Sequence, residues 1–147
     1  MSNILLIEDN KNNADIMIRI LSRNGHEVVH TAEGLTGLNI AATQQIDIIL
    51  VDLGLPDVGG ATVIALLKRI PNDIPIVVIT ASTDYAEWRQ AANRGSVGCI
   101  TKPINTRSFA NEIESFLSRY PQGDVQRSIN VISPPIISSE AHVSTLF

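Results

Sequence analysis

The sequence predicts an α/β fold, a (βα)5 doubly wound sandwich on a five-stranded parallel sheet. Three observations predict it. Short, nearly continuous aliphatic runs recur along the chain, among them Ile4-Leu5-Leu6-Ile7 and Ile74-Pro75-Ile76-Val77-Val78-Ile79, as expected of strands buried on both faces. The segments between them carry apolar residues at helical spacing. No internal repeat of solenoid period competes with that alternation.

Each element follows in order. Ile4 to Ile7 is the first strand, and Asn12 to Asn24 the first helix, with Ala14, Met17, Ile18 and Leu21 recurring at helical spacing and Gly25 as its stop. Val28 and Val29 mark a short second strand, followed by a helix from about Gly34 to Gln44 carrying Leu35, Leu38 and Ala42. The third strand is Ile46 to Val51, and a helix runs from about Gly60 to Ile70. The fourth strand is Ile74 to Ile79, with a helix from roughly Thr83 to Arg94 before Gly95. The fifth strand is Val97 to Thr101, and the last helix, from near Asn105, places Phe109, Ile113, Phe116 and Leu117 on a stripe that reads as core.

Composition bounds the function. With 147 residues, 44% of them hydrophobic and 18% charged, the chain supports one domain with a real core plus an appendage. We place the domain at residues 1–120 and a C-terminal tail, extended or disordered, at residues 121–147. The net charge of -4 argues against direct binding of nucleic acid, which needs clustered Lys and Arg. Cys99 is the single cysteine, so no intramolecular disulfide forms, and no Cys/His cluster offers a zinc site. Neither a secretory signal nor an apolar stretch long enough to cross a bilayer is evident, so a soluble, cytoplasmic protein without membrane contact is expected.

The strand ends carry the chemistry. Glu8-Asp9 follows the first strand, Asp52 the third, Thr80 the fourth and Lys102-Pro103 the fifth. Ligands of parallel α/β sheets gather outside the carboxyl ends of the strands, so three carboxylates, one hydroxyl and one ammonium should share a pocket. Neighbouring carboxylates repel by about 1 kcal/mol in water at 4 Å and about 4 kcal/mol at an effective dielectric of 20. A divalent cation relieves that repulsion, and Mg2+ suits carboxylate, water and phosphate oxygens. The pattern is that of a site for a divalent cation and a phosphoryl group.

These residues, in this order, resemble the phosphorylation site of the response-regulator receiver family, and the likeness spans Asn3 to about Tyr120. It implies a flavodoxin-like fold with strand order 2-1-3-4-5. It implies that Asp52 is the phosphoacceptor, attacking a phosphohistidine donor, with Lys102 stabilising the transferred group and Thr80 as the switch hydroxyl. Asp9, Asp52 and the backbone carbonyl of Gly54 would hold Mg2+, with Glu8 in or near its water shell. The implied donor is a histidine kinase or phosphotransfer protein. Output would pass to a downstream protein or a homodimer through the face of the fourth helix, fifth strand and fifth helix.

The chain departs from the family where the residue three before Lys102, usually aromatic, is Cys99, which reads as a small buried core residue. Gly54 and Ser82 occupy positions that tune hydrolysis in the family. Tyr85 and Trp88 fit either packing or a partner surface, and His26, His30 and His142 lack metal-ligand spacing. The tail is too short for a winged-helix output domain. Its Ser133-Pro134-Pro135 centre, flanked by Ile129 to Ile132 and Ile136-Ile137, leaves open docking as an extended strand or a disordered linker. The expected function is a stand-alone receiver, a phospho-accepting switch and not a metabolic enzyme. The alternatives are a degenerate receiver acting as a binding module or a fragment of a larger signalling protein. A flavodoxin-like cofactor carrier is disfavoured because Glu8-Asp9 would repel a phosphate. An aspartyl phosphatase would need an acid/base carboxylate where Gly54 stands.

Overall fold

The computed structural model describes residues 1–70 and 73–120 together with the backbone of residues 136–137. Its elements are β1 (Asn3–Ile7), α1 (Lys11–Arg23), β2 (Glu27–Thr31), α2 (Gly34–Thr43), β3 (Ile48–Asp52), α3 (Gly60–Leu67), β4 (Ile76–Thr80), α4 (Tyr85–Arg94), β5 (Gly98–Thr101), α5 (Phe109–Arg119) and β6 (Ile136–Ile137). The parallel sheet has the order β2-β1-β3-β4-β5-β6. Its first five strands form the expected 2-1-3-4-5 arrangement. Of the tail, only β6 lies within the described residues; it pairs with β5 through Gly98↔Ile136 and Cys99↔Ile137.

Period-two alternation sorts the sheet's side chains into two cores. Leu5, Ile7, Ile49, Val51, Ile76, Val78 and Cys99 pack with Val63, Ile64, Leu67, Trp88 and Ala91 on the side of α2, α3 and α4. Ile4, Leu6, Ile48, Leu50, Val77, Ile79 and Ile100 pack with Met17, Leu21, Phe109, Ile113 and Phe116 on the side of α1 and α5. Strands with both faces covered have no need of polar alternation, which is why they read as unbroken aliphatic runs.

Several boundaries differ from the sequence reading. β3 runs Ile48–Asp52 instead of starting at Ile46, because the Asp47 carboxylate is engaged in accepting the Asn3 amide at 2.7 Å. Asp52 is thus the last strand residue and not the first loop residue. β4 likewise ends with Thr80 inside the strand. α4 begins at Tyr85, since Asp84 caps it by accepting the Ala86 amide at 2.9 Å. It ends at Gly95, whose φ of 121° only glycine adopts readily. α5 begins at Phe109, not Asn105: the Asn105 side chain accepts the Arg107 amide at 2.9 Å and holds a turn ahead of the helix.

α2 is the clearest correction to the pattern. Its buried face is Gly34, Gly37 and Ala41, while Leu35 is 55% exposed and Ala42 also faces outward. The reason is close approach, because a Cβ at Gly37 would collide with the side chain of Ile7. Glycine lets the helix lie directly on β1.

Candidate functional site

The alternation that builds the cores also aims the strand-end residues. Continuing the parity of Ile4 and Leu6 brings Glu8 to the α1/α5 side, as Ile48 and Leu50 do for Asp52 and Ile100 does for Lys102. Thr80 follows Ile76 and Val78 toward the α4 side. Three polar groups therefore converge while the hydroxyl stands on the facing wall.

The distances agree. Lys102 Nζ lies 2.7 Å from Glu8 Oε1 and 3.2 Å from Asp52 Oδ2. Oxygens of Glu8, Asp9 and Asp52 all lie within 4.8 Å of one another. Glu8 is 1% exposed and Asp52 7%, whereas Asp9 faces solvent. Asp52 Oδ1 accepts the Gly54 amide at 3.0 Å, and Glu8 Oε2 accepts the Asn10 amide at 3.1 Å. A cleft of about 340 Å³ is lined by Asp52, Leu53, Gly54, Thr80, Ala81, Ser82, Glu87 and Lys102. Glu87 on α4 lines the cleft as well, a placement that no pattern in the sequence announces.

Electrostatics divides the two buried acids. Burial pushes the Glu8 carboxyl above its ordinary range, and the adjacent Asp52 adds to that against the opposing pull of Lys102 and the Asn10 amide. Burial acts on Asp52 in the same sense, but the Gly54 amide, Glu8 and Lys102 together hold it below the usual value. Lys102 is disfavoured as a cation by burial yet held above its ordinary value by the two carboxylates. The two shifts run in opposite directions, and the contacts of Asp52 favour its charged form.

The donor set fits a divalent cation. Three carboxylates face one ammonium, leaving excess negative charge in a partly desolvated pocket, and hard oxygen donors suit Mg2+. Glu8 Oε1 is fully buried and, apart from its ion pair with Lys102, accepts no well-aligned hydrogen bond.

Two histidines support the frame. His30 Nε2 lies 2.8 Å from the Glu8 carbonyl, and a ring N–H donated there fixes the backbone that carries Glu8. The Ser2 amide donates to His26 Nδ1 at 3.2 Å, so Nε2 carries the proton toward Glu114 Oε2, 2.9 Å away. Neither was legible as a partner from its position in the sequence. His142 lies outside the described residues.

Across the cleft, Thr80 Oγ1 accepts the Ser82 amide at 3.0 Å, Ser82 Oγ accepts the Asp84 amide at 3.0 Å, and the Trp88 indole N–H donates to the Ser82 carbonyl at 3.0 Å. Cys99 is 4% exposed, and burial pushes its thiol up to about 12. The expected small buried core residue is found there.

Fold and site together define a doubly wound α/β domain with an acidic, lysine-bearing pocket at the carboxyl edge of its sheet. The response-regulator receiver domain family matches residues 4–114, and the chain belongs to that family. Members of this family are phosphoryl-accepting switches of two-component signalling, with phosphorylation on an aspartate. The polar-differentiation response regulator DivK of Brucella anthropi is 30% identical over 116 residues, covering 78% of this chain and 94% of that protein. The fold is shared with a CheY-like receiver domain protein from Methanospirillum hungatei, at a TM-score of 0.77 and 24% identity over 81% of this chain and 95% of that one. A receiver domain of a sensor histidine kinase from Pseudomonas aeruginosa, solved with magnesium coordinated in its active-site cleft, has a TM-score of 0.71 and 27% identity over 80% of this chain and 95% of that one. Among the described residues, no helix is long and apolar enough to cross a membrane.

Proposed function

We propose that the chain is a cytoplasmic receiver that accepts a phosphoryl group on Asp52 from a histidine kinase or phosphotransfer protein. The observation that carries this reading is Asp52 itself: buried, 3.2 Å from Lys102, accepting the Gly54 amide at 3.0 Å and within 4.8 Å of two further carboxylates. An Asp52 oxygen attacks the donor phosphorus, the phosphorus–nitrogen bond breaks, and its electron pair leaves with the imidazole, which takes up a proton. An acyl phosphate remains on Asp52. Asp9, Asp52 and the Gly54 carbonyl would hold Mg2+, with Glu8 in or near its water shell, and the ion would neutralise charge on the phosphoryl oxygens. Lys102 stabilises the same charge from the protein side, and the Gly54 amide orients the Asp52 carboxylate before transfer.

Signalling follows from the facing wall. The Thr80 side chain turns away from the Ser82 amide, whose N–H it accepts, and donates its O–H to a phosphoryl oxygen, which redirects the loop into α4 and alters the surface of α4, β5 and α5. That surface, with β6 of the same chain paired along β5, is the proposed contact for a downstream protein or a second copy. For the donor, an apolar recess lined by Asn13, Ile16, Met17, Lys102, Pro103, Ile104 and Thr106 lies beside the cleft, and Ile16 is 43% exposed. A partner seated there is close to Asp52.

Acetyl phosphate with Mg2+ provides the test. Intact-mass analysis should show one added phosphoryl group on wild type, localised to Asp52, and none on Asp52→Asn. Label retained by Asp52→Asn, or absent from wild type with donor and metal present, overturns the assignment.

A further inference from the structure

Ser82 is gripped from both sides of its own backbone. Its N–H donates to Thr80 Oγ1 at 3.0 Å, and its carbonyl accepts the Trp88 indole N–H at 3.0 Å. The first grip belongs to the end of β4, and the second to a side chain one turn into α4. Trp88 is 7% exposed and packs in the same apolar cluster as Cys99. Its ring cannot swing freely, so a displacement of the Ser82 carbonyl has to be absorbed by the indole and the helix that bears it. The small side chain of Cys99 offers no aromatic lever on β5 to take up the same motion.

We propose that Trp88 is the positioning residue that transmits the state of the Thr80 hydroxyl into α4. When Thr80 turns its oxygen to the cleft, the Ser82 amide loses its acceptor and the residue shifts. Its carbonyl then drags or releases the indole N–H. Loop and helix thus move together through one hydrogen bond. The inference rests on the reading of the site given above, in which Thr80 answers a phosphoryl group at Asp52. Trp88 takes no part in phosphoryl transfer itself.

The test uses the full chain, wild type and Trp88→Phe, with Mg2+ and beryllium fluoride as the phosphoryl mimic. Phenylalanine retains a buried aromatic ring but removes the N–H donor together with part of the indole's bulk. Both proteins should take label from acetyl phosphate equally. In wild type the mimic should change amide exchange at 82–84 and along Tyr85–Arg94. In Trp88→Phe the loop should still respond, while the response along the helix falls about five-fold, the share of an opening equilibrium that one hydrogen bond controls. A helix that responds in Trp88→Phe as it does in wild type would overturn the inference while the site stands, and so would a response along the helix that falls only in step with that of the loop. No label on wild type would overturn the site reading and this inference with it. Trp88 is the sole tryptophan, so wild-type emission gives a second measurement independent of the variant's folding. Emission should change on adding the mimic, and unchanged emission overturns the proposal.

Discussion

At the residue scale the pocket is a balance of four charges, and single substitutions tip it in different directions. Lys102→Ala removes the cation 2.7 Å from Glu8 and 3.2 Å from Asp52, leaving two buried carboxylates facing each other. Metal-free protein should lose about 1.5 to 3 kcal/mol of stability by urea unfolding, the range for a hydrogen bond to a charged group. A Lys102→Ala protein as stable as wild type would show that water already screens the pair. Cys99 gives the opposite kind of expectation. With its thiol pushed up to about 12 by burial, it stays protonated at neutral pH and should resist iodoacetamide until the protein unfolds. Rapid alkylation of the native chain would contradict that burial. The acids and the lysine were legible in the sequence because each ends a strand. Glu87 was not, since its approach to the cleft depends on where α4 packs. Nor was the Trp88–Ser82 bond, which joins a helix face to a loop carbonyl with no pattern to announce it.

At the element scale, α2 shows how a helix is completed from elsewhere in the chain. Glu33 at its N-cap accepts no helix amide with its side chain. Instead Asp57, from the loop after β3, accepts the Gly34 and Leu35 amides at 3.1 Å each. These two amides hold the Asp57 carboxyl below its usual value of 3.8. The sign follows directly: the cap's contribution is complete above that value and is lost as pH falls through the lower, folded value. Protection in the first turn of α2, relative to the intrinsic exchange rate at each pH, should fall on acidification below about pH 4 in wild type, while Asp57→Ala should show the frayed turn already at neutral pH. A first turn equally protected in both proteins would remove Asp57 from that role. Periodicity exposed the existence of every helix but misread the inward face of α2, where leucine pattern suggested Leu35 and Ala42. Two glycines under Ile7 and Val63 decide the matter, and close approach leaves no hydrophobic signature. The stripe on α5 was legible because Phe109, Ile113 and Phe116 are large and fully inward. Phe109→Ala, at a site with no exposure, should cost about 3 to 5 kcal/mol in chemical denaturation, and a loss below 1 kcal/mol would mean the cavity collapses.

At the scale of the whole molecule, the sheet couples stability to the occupation of its carboxyl edge. β1, β3 and β5 place Glu8, Asp52 and Lys102 at one point, so three separate strands share whatever binds there. The same alternation that gives the domain two cores leaves the repelling acids nowhere to relax. A cation that binds only the folded arrangement must then stabilise the whole domain. At about ten times its dissociation constant, Mg2+ should add about 1.4 kcal/mol, which is the free energy of one-site linkage. For a domain of this size that raises the melting temperature by about 5 °C. Asp52→Asn removes one anionic donor and also the partner that pushes Glu8 upward, so its melting temperature should respond to Mg2+ far less at the same concentration. Scanning calorimetry across a Mg2+ series tests the pair. An equal shift in both proteins would locate the cation away from Asp52. A shift that persists in wild type but vanishes in Asp52→Asn would tie the stability of all three strands to the carboxylate proposed to take the phosphoryl group.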